Sequence, residues 1–106
     1  MRVYVAGPYG SPSQAEVNAN IAAAVEVGKQ LALRGHTPFI PHAMTAGWEK
    51  DPRFVREDFL RIDFDWLDQS EALYFIGPSP GANRERERAE RRGLPIWTSM
   101  DEVPEA

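Results

Sequence analysis

Apolar residues follow two rhythms along the chain. Arg2–Ala6 (Arg-Val-Tyr-Val-Ala), Thr37–Ile40, Ala72–Ile76 and Ile96–Thr98 are short runs rich in β-branched and aromatic residues, which predicts four strands. Between the first two, Val17, Ile21, Ala24, Val25, Gly28 and Leu31 recur at helical spacing, so a helix is expected from about Gln14 to Arg34, stopped by Gly35. A second helix is expected from about Arg53 to Gln69, and a third from the Gly77–Gly81 loop to about Arg92. His42 to Pro52 reads as an irregular connection, and the last eight residues as a short helical or frayed end. Strands alternating with helices imply a parallel sheet with right-handed crossovers. The fold class is therefore α/β, a small Rossmann-like three-layer sandwich with a four- or five-stranded sheet, spanning residues 1–106 as one domain.

In open sheets of this kind ligands bind beyond the carboxyl ends of the strands. Three loops of unusual composition fall there: Gly7 to Ser13, Pro41 to Trp48, and Gly77 to Gly81. The helix between the second and third strands carries an acid out of place. With Phe59 at zero and 100° per residue, Val55, Ile62 and Trp66 lie within about 60° on one side, and Leu60 and Leu67 within about 100° on the other. Asp63 falls at about 40°, inside this apolar arc, whereas Asp58, Asp65 and Asp68 lie on the opposite half. A carboxylate facing a core must be hydrogen-bonded, paired or protonated. Asp63 is thus either a structural hydrogen-bonding group or an active-site acid with a raised pKa.

The last long helix is a run of alternating arginine and glutamate, most of it a solvated face with i,i+4 charge pairs. Glu85 stands apart, on the side of Ala82 and Ala89 that must face the sheet, and in the first turn after the Gly-rich loop. It is either an acid favoured by a helix start or a catalytic group at the strand ends. Ser79-Pro80-Gly81-Ala82-Asn83 opens the helix as an ordinary capping turn or as an anion pocket of backbone amides. It lacks the lysine of a Walker loop and the Gly-x-Gly-x-x-Gly of a dinucleotide site. His42, ending the second strand, is a candidate substrate contact; His36, after Gly35, reads as structural, and Trp48 as a loop anchor.

Composition narrows the classes. Sixteen acids against twelve bases give a net charge of −4, a poor start for binding a nucleic-acid polymer. The chain has no cysteine, which removes disulfides and thiolate chemistry and suits a cytoplasmic setting. Two isolated histidines imply no metal, and nothing calls for a cofactor. No apolar run approaches the roughly 20 residues of a membrane span, and Met1 leads directly into a strand, so neither a membrane nor a signal peptide is expected. A chain this small, with an alanine-rich first helix to cover, is expected to form a homodimer.

Together these residues resemble the nucleoside 2-deoxyribosyltransferase-like family, which includes 2′-deoxynucleoside 5′-phosphate N-hydrolases and uncharacterised short relatives. The resemblance covers almost the whole chain. It is carried by Val3-Tyr4-Val5-Ala6-Gly7-Pro8, Gly35-His36-Thr37-Pro38-Phe39-Ile40-Pro41-His42, Asp63-Phe64-Asp65-Trp66-Leu67 with Glu71, and Ser79-x-Gly81-Ala82-x-x-Glu85-x-x-x-Ala89. It implies Glu85 as a nucleophile on the anomeric carbon, with a covalent glycosyl-enzyme resolved by water or a second base. It also implies Asp63 across the pocket on the sugar or leaving base, and Tyr4 orienting the nucleophile. Ser79 with Gly81, Ala82 and Asn83, and Gly7, Pro8 and Tyr9 of the first loop, would take the 5′ end of a nucleoside or nucleotide. Two carboxyls serving an oxocarbenium-like transition state follow retaining-glycosidase logic. The chain departs from the family in three respects, one being that it has no clear counterpart of the residue by which a neighbouring subunit often completes the pocket in catalytic members. Gly7–Ser11 lacks the Ser-Ile-Arg by which the phosphate N-hydrolases hold their substrate, and Glu71 stands where aspartate is more usual. Two other functions compete: a non-catalytic nucleotide-binding sensor, and a cytokinin-type phosphoribohydrolase, whose glycine-rich loop Ser79–Ala82 fits less well.

Overall fold

The computed structural model describes all 106 residues, Met1–Ala106. Strand β1 (Arg2–Ala6) is followed by α1 (Gln14–Leu33), β2 (Thr37–Phe39), α2 (Pro41–Met44), α3 (Arg56–Asp68), β3 (Ala72–Phe75), α4 (Pro80–Arg91) and β4 (Ile96–Trp97). Single 3₁₀ turns lie at Trp48–Lys50 and Met100–Glu102. All strand pairs are parallel and the sheet order is β2-β1-β3-β4, a four-stranded α/β sandwich.

Alternation along the strands divides the core in two. Val3 and Val5 of β1, with Ala72 and Tyr74 of β3, face α1 and pack on Ala24, Leu31, Trp97 and Val103. Tyr4 and Ala6, with Leu73 and Phe75, face the other way, onto Leu67 of α3 and Ala82 and Ala89 of α4. The period-two strand pattern thus decides that Tyr4 looks into the α3–α4 layer. α1 fits closely because Gly28 has no side chain: a Cβ there would sit 2.3 Å from Ile40 Cδ1.

The chain leaves β1 toward one edge and β3 toward the other, so the strand order reverses between β1 and β3. Their carboxyl ends diverge there into the Gly7 loop and the Gly77–Ser79 loop, opening a crevice. Gly7 is buried at this point, and a Cβ on it would lie 2.9 Å from Ile76 Cβ, so the loop can leave the sheet here only as glycine.

Two expectations need correction. The His42–Pro52 connection is not wholly irregular, since Pro41 starts a short helix at a position where its missing N–H costs nothing. The apolar arc of α3 is also rotated. Leu67 is its fully buried residue, while Val55 is 57% and Trp66 47% exposed. Val55 lies before the first turn, its N–H bonded to Asp58 Oδ2 at 2.8 Å, and Trp66 stacks on Phe39 beside edge strand β2 at 5.0 Å between ring centres. The buried side is centred nearer Leu60 and Leu67, which leaves Asp63 half-buried at its edge, lining the pocket described below.

Candidate active site

A pocket of about 430 Å³ opens at the β1/β3 switch point. The volume lies in the range of small-molecule sites. Glu85 and Asp63 both line it, although they come from different helices. Glu85 lies in the second turn of α4, not the first, because Ser79 is the cap and Pro80 the first helical residue. It shares the buried side of that helix with Ala82 and Ala89, and only 9% of it is exposed.

Tyr4 is completely buried, and its hydroxyl donates to Glu85 Oε2. Glu85 Oε1 has no protein partner and is left to the pocket. Burial pushes the Glu85 carboxyl up to about 8; the Tyr4 hydroxyl pulls against this and the charge of Asp63 adds to it. Burial also raises Asp63, to about 6. The Tyr4 phenol is held well above its ordinary range by burial, then by Glu85 and Asp63, so it remains a donor. Asp63 has no hydrogen-bonding side-chain partner, and the ion pairs of α3 and α4, such as Arg88–Asp68 at 2.7 Å, lie elsewhere. The floor is therefore two half-dry acids without a cation between them, an arrangement suited to proton transfer and to stabilising positive charge.

Gly7, Tyr9, His42, Ser79, Gly81 and Ala82 line the same pocket. Ser79 Oγ accepts from Ala82 N at 3.0 Å, so it caps α4, and its own hydroxyl hydrogen is free to donate. His42 Nε2 sits 3.0 Å from Gly7 O and 3.1 Å from Pro8 O. Two carbonyl acceptors require a proton on that nitrogen. Burial keeps the ring's pKa low, and Nδ1 is buried without a partner. His42 thus anchors the first loop from below. Two proposed ligands lie outside the wall: Pro8 contributes only its carbonyl to His42, and Asn83, at the fourth helical position, is exposed. Glu71 is also remote, accepting from Arg2 N at 2.9 Å on the surface. His36 is buried between Pro104 O, at 2.7 Å, and the Trp97 ring.

Sequence reasoning missed part of the wall. Arg56, Phe59, Leu60 and Asp63 form one stripe of α3 facing the pocket, and Thr45 and Glu49 also line it. The stripe's i, i+3, i+4, i+7 spacing is present in the sequence, but Phe59 and Leu60 were read there only as part of the apolar arc facing the core.

A 2-deoxyribosyltransferase of the psychrotolerant bacterium Bacillus psychrosaccharolyticus, described as a biocatalyst for nucleoside synthesis, has a similar structure. Its TM-score is 0.65 at 17% identity, covering 91% of this chain and 69% of that one. The fold is that of the nucleoside deoxyribosyltransferases. Residues 1–99 match the family described as domain of unknown function DUF7768, and the chain belongs to that family. No curated protein sequence matches the chain.

Proposed function

We propose that this protein cleaves the N-glycosidic bond of a nucleoside or nucleoside 5′-monophosphate, with Glu85 as nucleophile. The observation that carries the reading is the buried Tyr4–Glu85 contact facing Asp63 across one pocket floor. Glu85 Oε1 forms a bond to C1′ as the C1′–N bond breaks, and the electron pair of that bond leaves with the base. Asp63 supplies a proton to the departing base nitrogen. Water then attacks C1′, loses its proton to Asp63 and releases Glu85; a second base in place of water would give transfer instead of hydrolysis. Tyr4 holds Oε2, which aims the other oxygen and spreads the charge that Glu85 regains. The first loop and the start of α4, with Ser79 and the Gly81 amide, would take the 5′ end.

The test is release of free base from a panel of ribo- and deoxyribonucleosides and their monophosphates. Glu85→Ala should lower release by roughly a thousandfold or more. Unchanged release in that variant removes Glu85 from the nucleophile's role. Stabilisation by a nucleotide with no turnover would instead favour a sensor.

A further inference from the structure

The wall that the sequence left unassigned carries two opposite charges, both on exposed residues where Glu85 is buried. Arg56 and Glu49 both line the pocket, and Arg56 is the only lysine or arginine that does. The molecule's ion pairs are Arg2–Glu71, Arg53–Asp51, Arg86–Glu90, Arg88–Asp68 and Arg91–Glu87, so these two residues pair neither with each other nor with another charge. Glu49 is nonetheless held in place. Tyr9 Oη donates to Glu49 Oε1 at 2.9 Å and itself accepts from Gly47 N at 3.1 Å. The backbone of Tyr9 is fixed in turn by Asn20 Nδ2, 3.0 Å from its carbonyl. A carboxylate oriented by two successive hydrogen bonds, with one oxygen uncommitted, is a prepared acceptor.

Stereochemistry says what reaches it. A nucleophile displacing a base must approach C1′ from the side opposite the departing nitrogen. Glu85 lies at the floor, so the base projects outward. Its flat faces then pass the Phe59–Leu60 stripe, and its far edge meets the exposed part of the wall. Arg56 is seven residues from Asp63 on the same side of α3, about 10 Å along the helix axis. That depth suits the longer, purine base.

We propose that Glu49 and Arg56 read the outer edge of the base and select guanine. Guanine offers ring N–H and amino donors side by side, matching a carboxylate, next to a carbonyl oxygen that a guanidinium recognises. Adenine turns a ring-nitrogen acceptor toward the same carboxylate and is rejected. This assignment rests on the reading of Glu85 as the attacking group.

The experiment measures guanosine and adenosine dissociation constants by calorimetry, beside base release from both, for the wild-type protein, Glu49→Gln and Arg56→Met. Wild type should bind guanosine about tenfold or more tightly than adenosine. Glu49→Gln should lower that ratio by about tenfold, because an amide pairs well with adenine. Arg56→Met should weaken guanosine more than adenosine, with thermal midpoints unchanged in both variants. Equal wild-type affinities, or a ratio that neither variant moves, overturn the proposal, as does failure to bind either nucleoside. A ratio that shifts without base release keeps base reading and removes the glycosidase. Base release with an unshifted ratio does the reverse.

Discussion

Glu85 has the most to lose from burial. Its carboxyl titrates near 8 in the folded chain against an ordinary 4.5, chiefly through desolvation. Below pH 4.5 it is protonated in both folded and unfolded chains and costs nothing. Between 4.5 and about 8 the unfolded chain ionises it freely and the folded chain does not, so stability falls as pH rises through that window. Glu85→Gln should therefore melt with the wild type near pH 4 and well above it at pH 8; parallel curves over that range would show the carboxyl is not buried as described. For the proposed reaction, carboxyls near 6 and 8 give a kcat/KM profile with its maximum between those values. A bell of that kind belongs to the pair and does not say which acid holds the proton. Asp63 was legible in the sequence as an acid within an apolar arc, and Glu85 as an acid between two alanines. Glu49 and Arg56 were not, because a charged residue in a loop or at a helix start is ordinary on any surface.

At the scale of elements, the junction between strand and helix sets the site. Ser79 caps α4 through Ala82 N while its hydroxyl faces the pocket, so one residue serves the helix and the ligand. Ser79→Ala should cost about 1 kcal/mol of stability, read by denaturant titration, and also weaken nucleoside binding. Ser79→Asp should restore the cap, but not affinity for a phosphate. A cap-deficient variant with normal affinity would confine Ser79 to a structural role. The ends of α1 and α4 were readable from periodicity and from Gly35 and Gly93, both with positive φ just past helix ends, whereas short α2 was not and α3 starts three residues later than expected. The facing of α3 was not readable either. Its apolar residues cover more than half the circumference, and contact with β2, through Phe39 and Trp66, decided which of them would be half-exposed.

Across the whole molecule, the sheet separates two cores with different duties. The α1 face is closed by the chain's last residues: Val103 is 4% exposed, Arg34 Nη1 donates to its carbonyl at 3.0 Å, and Ala106 N donates to Arg34 O at 3.0 Å. The pocket belongs to the opposite face. Val103→Ala should cost about 2 kcal/mol of unfolding free energy yet leave base release unchanged below the melting transition. Loss of activity in a folded Val103→Ala protein would show that the two faces are coupled. No helix is long and apolar enough to cross a membrane, and no three acidic or histidine side chains gather into a metal-binding group.

Local order along the chain was enough for the α/β alternation, the four strands and the three long helices, because each depends on neighbours a few residues away. It also marked two acids as misplaced, since burial of a carboxylate is visible as a break in periodicity. Only the folded chain decided that Tyr4 meets Glu85, 81 positions further along the chain, that both acids line one pocket, and that Arg56 and Glu49 line it too. Strand order and helix rotation set those meetings, and both come from packing between distant segments, where no local pattern records the outcome.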